Sequence, residues 1–264
     1  MRVLTSHQAK FVDSESISKF NISSTSLMDE AGKQVAIEAR GIIGDKKKSK
    51  VWVFCGKGNN GGDGFAASHY LFVEGFSVCI YYIGNKNQIK GDSLLFFNKC
   101  REDNIPIEYG KKVKATSHPD LIIDAIVGVG LNGTLRRYLV PIFEFINRAK
   151  CPVLSVDIPS GLDSNTGERS LPCIKADVTA SFFAPKLGMQ LRNGPEHTGR
   201  VLIKDIGIPP LKKFQIPGLN WQLTSKSLVE NFFQKTKMKK LMRVPVGVDT
   251  SNGVSVMLAT VPAW

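Results

Sequence analysis

Apolar positions in this chain recur first at helical and then at strand spacing. Near the N-terminus Ala9, Val12, Ile17 and Phe20 suit one side of a helix. Thr5 precedes it with Gln8 three residues on, a pairing in which each side chain satisfies a free backbone N–H of the other's region. Ser23 to Ser26 give a polar entry to a second helix, along which Leu27, Ala31, Val35, Ala36 and Ala39 repeat. Beyond the basic loop at Lys46–Lys50 the pattern changes. Val51–Cys55 (VWVFC) is a short continuous apolar run, the form of a strand buried on both faces. Further strands are predicted at Ser77–Ile83, Leu121–Val127, Val153–Val156, Val178–Phe183 and Val201–Ile206. Gly64–Val73, Asp92–Cys100 and Arg136–Arg148 supply helices between them.

Such alternation implies right-handed βαβ units and a sheet covered on both sides. The expected class is α/β: a three-layer α/β/α sandwich, Rossmann-like in the broad sense, with a mainly parallel sheet. Ligands are then expected at the carboxyl ends of the strands.

Composition narrows the classes. At 264 residues, 42% hydrophobic and 22% charged, the chain reads as an ordinary soluble globular protein. No apolar run approaches the roughly 20 residues of a membrane span. The N-terminal MRVLTSHQAKFVDSES lacks an apolar core, which argues against a secretory leader and for a cytoplasmic location ahead of a mitochondrial one. Five widely spaced cysteines without C-x-x-C and four scattered histidines indicate neither a disulfide framework nor a zinc site. The net charge of +12 raises the question of nucleic acid. From Leu211 onward, however, eight basic residues stand against Glu230 and Asp249, so half the surplus sits in the last fifth of the chain. No nucleic-acid motif accompanies it, and neither nucleic acid nor membrane is expected as a partner.

The candidate chemistry gathers where strands end. The first runs into CGKGNNGGDG, in which Gly56, Gly58 and Gly61 match G-x-G-x-x-G by letters. A dinucleotide fingerprint also wants an acid at the end of the next strand, and that strand ends Ile83-Gly84-Asn85-Lys86. An ordinary dehydrogenase is disfavoured. Asn59, Asn60, Gly61, Gly62 and Asp63 instead offer backbone donors to an anion at a helix start, and amide oxygens to a cation. A tight turn capped by Asp63 is the alternative, but a plain turn does not need so many glycines and two asparagines together. Asp124 interrupts LIIDAIVG, an expensive place for an acid unless it is paired or bound to a cation. Gly128–Thr134 follows it. Asp157 ends VLSVD, with Ser160 three residues on. Each acid alone could simply be tied to neighbouring amides, but three polar strand ends on one sheet edge should converge on one crevice.

In order, LMDEAG (Leu27–Gly32), CGKGNNGGDG (Cys55–Gly64), DAIVGVGLNGT (Asp124–Thr134), VDIPSGLDSNTG (Val156–Gly167), KADVT (Lys175–Thr179) and APKLG (Ala184–Gly188) resemble the NAD(P)H-hydrate epimerase, or YjeF amino-terminal, family. The resemblance covers about Leu4 to Ile208. It implies interconversion of the R and S forms of NADH or NADPH hydrated at C6 of the nicotinamide. An S-specific, ADP- or ATP-dependent dehydratase then restores the cofactor. It implies one potassium ion per subunit, held by Asn60, Asp124 and Ser160, with carbonyls near Val127 or Gly130 completing the shell. Asn59, Asn60, Gly61, Gly62 and Asp63, with Gly128, Val129, Gly130, Leu131, Asn132, Gly133 and Thr134, would line the substrate site, and Asp157 would contact the substrate. Asp157 is the candidate general acid–base. Lys186, and more remotely Arg136 and Arg137, are candidates for phosphate. Val127 stands where the family often has an aromatic residue.

Residues 1–210 are read as the epimerase domain and 211–264 as a basic C-terminal extension. Trp221–Lys240 resembles the connection into a dehydratase domain, while Leu241–Trp264 lacks the expected glycine-rich continuation, and a truncated linker, a frame-shifted product or a divergent terminus is expected. A homodimer is expected, with the two N-terminal helices as its candidate face. The alternative from another class is a non-catalytic scaffold that keeps the fold. The intact set Asn60, Asp124, Asp157 and Ser160 favours catalysis, since a scaffold has no need of it.

Overall fold

Seven strands form one sheet in the order β3-β2-β1-β4-β5-β6-β7, and every neighbouring pair is parallel. The computed structural model describes residues 1–110, 118–130, 135–224 and 256–257. The strands are β1 (Lys50–Cys55), β2 (Ser77–Tyr82), β3 (Ile107–Tyr109), β4 (Leu121–Ala125), β5 (Val153–Val156), β6 (Val178–Phe182) and β7 (Arg200–Lys204). The helices are α1 (Ser6–Phe20), α2 (Ser24–Ile43), α3 (Asn59–Val73), α4 (Asp92–Glu102), α5 (Val140–Arg148) and the short α6 (Gly194–Thr198).

The continuous apolar runs serve two cores, one on each face. From β1, Val51, Val53 and Cys55 pack with Val35 and Ala36 of α2, Phe65 of α3 and Phe96 of α4. Trp52 and Phe54 point the other way, onto Ile142, Phe143 and Ile146 of α5. Alternate side chains of a strand face opposite sides, so a strand covered twice is apolar along most of its length. Each large side chain so buried contributes about 1.5–3 kcal/mol. The three-layer α/β/α sandwich follows. On the first face α2 lies close on α3, because Gly32 presents no side chain: a Cβ there would stand 2.3 Å from that of Ala66.

Several boundaries differ from the sequence reading. Strand β4 stops at Ala125, because the next two N–H groups turn to side chains, Ile126 to Asp124 Oδ1 (3.3 Å) and Val127 to Ser160 Oγ (2.9 Å). Helix α3 begins at Asn59, so the polar residues read as a loop form its first turn. A 3-10 turn over Arg137–Leu139 precedes α5. The edge strand β3 carries no pattern to read, being three residues long and largely exposed.

A third cluster joins the chain's start to the segment after β7. Leu4 and Val12 are buried with Ile206, Ile208, Phe214 and Ile216. Val3 N donates to Trp221 O (3.2 Å), Leu223 N to Met1 O (2.8 Å), and Gln8 Nε2 to Pro217 O and Gly218 O. Residues 211–224 therefore pack on the N-terminal helix. Most of the expected linker lies outside the described residues. Among the described residues no helix is long and apolar enough to cross a membrane.

Candidate functional site

The strand order reverses direction between β1 and β4, and such a switch point leaves a crevice beyond the strand ends. The backbones meet closely there. Gly56 N donates to Ala125 O (2.9 Å), and a Cβ on Gly56 would fall 1.9 Å from Ile126 O. Helix α3 starts directly above. Its first intrahelical bond runs from Gly62 N to Gly58 O (3.1 Å), and Gly58 caps with no side chain, so the preceding first-turn N–H groups remain available. Asn60, 8% exposed, has neither Oδ1 nor Nδ2 hydrogen-bonded. A buried orphaned amide is costly, and that marks Asn60 as a group awaiting a partner. Gly128 covers it: a Cβ there would stand 3.1 Å from Asn60 Oδ1.

The glycines of this loop divide their labour. Gly61 and Gly62 do not line the crevice. A Cβ on Gly61 would meet Gly56 O at 1.9 Å, and one on Gly62 would meet Met28 Sδ and Ser93 Oγ at 2.5 Å. Their absent side chains let α3 settle onto the β1 end and α2.

Beneath the crevice floor Asp124 is fully buried. Oδ2 accepts from Ser155 Oγ (2.8 Å) and Ser160 N (2.9 Å), and Oδ1 from Ser160 Oγ (2.6 Å). Burial nevertheless pushes its carboxyl above the usual range, with the bonds from Ser160, Ser155 and Ile126 opposing. Ser160 Oγ also contacts Val127 O (3.2 Å). Asp124, Ser160, Val127, Gly128 and Asn60 thus form one contiguous set of oxygen donors.

Asp157 follows β5 in a left-handed conformation, φ +65°. That region is uncommon outside glycine, and Asp tolerates it better than most. Its carboxylate forms a short ion pair with Lys186. Lys186 is 3% exposed, and Nζ also donates to Ser181 Oγ (3.0 Å) and Phe182 O (3.1 Å). Three donors meet three acceptors. Neither an ordinary surface lysine nor a free phosphate ligand describes it; Lys186 fixes Asp157.

Asn60, Gly128, Asp157 and Lys186 open on one cavity of about 630 Å³, within the range of small-molecule sites, whereas Asp124 and Ser160 lie buried behind its lining. Asn59, Asn60, Asp63, Gly128, Val129, Gly130, Asp157, Lys186 and Arg136 line it; Arg137 does not. Leu131, Asn132, Gly133 and Thr134 lie outside the described residues. Helix α1 forms a further wall through Ala9, Asp13 and Ile17, four residues apart and so on one side. Asp13 keeps solvent access, and desolvation where it borders the cavity raises its carboxyl to about 6, the Asp157 charge adding and Lys186 opposing. Asp63 is pushed well above the carboxylate range by burial, then by the Asp157 and Asp13 charges, again against Lys186. Sequence reasoning missed Asp13, because it is the solvated charged residue that the helix pattern suggests, and only the fold lays that exposed side against the cavity. The buried thiols of Cys55, Cys100 and Cys173 are pushed upward by burial and are unreactive core groups.

A family model described as "YjeF-related protein N-terminus" matches residues 24–188, spanning α2, the α3 first turn, β4 to β6 and Lys186. The chain belongs to the YjeF amino-terminal family. Among curated relatives, the bifunctional NAD(P)H-hydrate repair enzyme Nnr of Moorella thermoacetica is 34% identical over 218 residues, covering 79% of this chain and 41% of that protein. The NAD(P)H-hydrate epimerase of Rhodopirellula baltica is 31% identical over 209 residues, covering 78% and 84%. The chain thus spans about two-fifths of the bifunctional relatives it matches. The crystal structure of yeast ynu0 superposes with a TM-score of 0.65 over 98% of this chain and 100% of that one, at 21% identity, a likeness of fold.

Proposed function

We propose that this YjeF-family chain epimerises NAD(P)H hydrate at C6 of the nicotinamide, so that an S-specific dehydratase can complete repair. The observation that carries the reading is the convergence of an α3 N-terminus, the orphaned Asn60 amide and the Lys186-paired Asp157 on one cavity at the switch point. The C6 hydroxyl belongs to a hemiaminal. Epimerisation therefore needs hydroxide to leave, an iminium to be held, and water to add to the other face. Asp157 is the acid–base group of this reading, and the first-turn N–H groups of α3 suit the dinucleotide's phosphates. Gly128, Val129 and Gly130 border the ring's position.

The donor set also fits a hard monovalent cation. Asn60 Oδ1 lacks a partner and the Asp124 carboxylate and Ser160 hydroxyl are oxygen ligands; Asn60, Asp124 and Ser160 would hold one potassium ion. Bound there, it would supply charge that orders the β1 and β4 loops. The substrate is NADH or NADPH hydrate, and the coupled partner is a dehydratase. A homodimer and a cytoplasmic site of action complete the reading.

The test is a coupled assay with R-hydrate, an S-specific dehydratase and potassium. Turnover is expected, and Asp157→Asn should lower kcat by about 100-fold or more. Asparagine accepts the left-handed backbone, so circular dichroism should be unchanged. A variant with wild-type turnover would remove Asp157 from the mechanism.

A further inference from the structure

Helix α1 brings to the cavity a carboxylate that no strand end supplies. Asp13 lies one turn from Ala9 and one turn from Ile17, and all three face the cavity. Asp157 faces the same space from the sheet edge, fixed by Lys186. All three Nζ donors of Lys186 are engaged with Asp157, Ser181 and Phe182, so none is left for Asp13.

Inversion at a ring carbon makes a geometric demand. The departing hydroxyl and the incoming water lie on opposite faces of a planar iminium, and a carboxylate held by a constrained backbone attends one face. On the reading that this cavity takes a nicotinamide hydrate, we propose that Asp13 and Asp157 form an acid–base pair, each serving one face of the ring. The Asp13 carboxylic acid gives its proton to the C6 hydroxyl of one epimer as the C6–O bond breaks. The bonding pair leaves with the oxygen as water, and the N1 lone pair closes the C6–N1 double bond. Water adds its oxygen to C6 from the other face, the double-bond pair returns to N1, and the Asp157 carboxylate takes the proton. One water leaves and one enters, and the two carboxyls regain their starting states by proton exchange with solvent. The opposite epimer reverses the roles.

The charges around the cavity suit this division. The ammonium of Lys186 is ion-paired with Asp157 and holds its carboxylate in place at the cavity wall. Asp13, solvent-accessible at the cavity wall, is raised to about 6 by desolvation there and by the Asp157 charge, near neutrality, where an acid–base group works best. Asp63 is also raised, by burial first and then by the Asp157 and Asp13 charges. Lys10, Lys57, Arg136 and Tyr138 also line the cavity and complete its charged and titratable groups.

The experiment takes each purified epimer in H2¹⁸O with the wild-type protein, Asp13→Asn, Asp13→Glu and Asp63→Asn. Wild type should exchange the C6 oxygen as it inverts. Asp13→Asn should lose about 100-fold in kcat with KM within about threefold, and should exchange oxygen in only one epimer without inverting it. Asp13→Glu should restore part of the inversion, which keeps the test open should the amide variant misfold. Inversion by Asp13→Asn within about threefold of wild type would overturn the pair, as would the one-epimer exchange appearing in Asp63→Asn instead. A wild-type protein that inverts neither epimer would overturn the functional reading itself, and the pair with it.

Discussion

At the residue scale, the acids of this protein differ in how far the sequence discloses them. Asp124 and Asp157 stand out because each breaks or ends an apolar run that must be buried, and a buried acid needs a reason. Asp13 offers no such contrast. Its role depends on where α1 is laid, and the raised carboxyl carries a stability consequence of definite sign. An acid whose pKa is higher folded than unfolded destabilises the fold above the folded value and ceases to matter below the unfolded one. Asp13→Asn should therefore stabilise the protein above pH 6, by about 1 kcal/mol after discounting for its exposure to the open cavity, and the gain should vanish near pH 4. Thermal melts of both proteins across that range measure it, and a gain that persisted at pH 4 would contradict the assignment. For Asp124 the expectation runs the other way. Asparagine would set an N–H against the Ser160 or Ser155 donors, costing about 2–4 kcal/mol in denaturant unfolding.

At the element scale, strands were the most legible feature because burial on both faces leaves few polar positions in them. Six of the seven main-sheet strands were visible as apolar runs, whereas β3, short and at the edge, needed no such run. The ends of elements were less legible. The true start of α3 lies in NNGGDG, where residue types favoured in turns carry a helix's first turn. Those glycines are decided by contacts. With a Cβ 1.9 Å from the Gly56 carbonyl, Gly61→Ala should force α3 away from the β1 end and cost about 2–4 kcal/mol, with turnover falling alongside. Gly58→Ala, with nothing within 4 Å, should cost less than 1 kcal/mol in the same unfolding experiment.

At the scale of the whole molecule, a cation between the β1 and β4 loops would tie two strands that only the folded chain brings together, so binding should appear as stability. Potassium at ten times its Kd should raise unfolding free energy by about 1.4 kcal/mol, read as a higher Tm in KCl than in choline chloride at equal ionic strength. Asn60→Ala should remove the difference. Equal melting in both salts for the wild-type protein would count against the site.

By itself the sequence determined the α/β class, the two-sided burial of the sheet, and the strand ends at Asp124 and Asp157, with a resemblance that named the family. All of these are written in local patterns: periodicity, an acid in an apolar run, a motif along the chain. Tertiary structure alone decided that Gly61 and Gly62 serve packing, that Lys186 is committed to Asp157, and that α1 carries Asp13 to the cavity. Such facts join residues up to about 170 positions apart in sequence, and no local pattern encodes a distance that only the folded backbone sets.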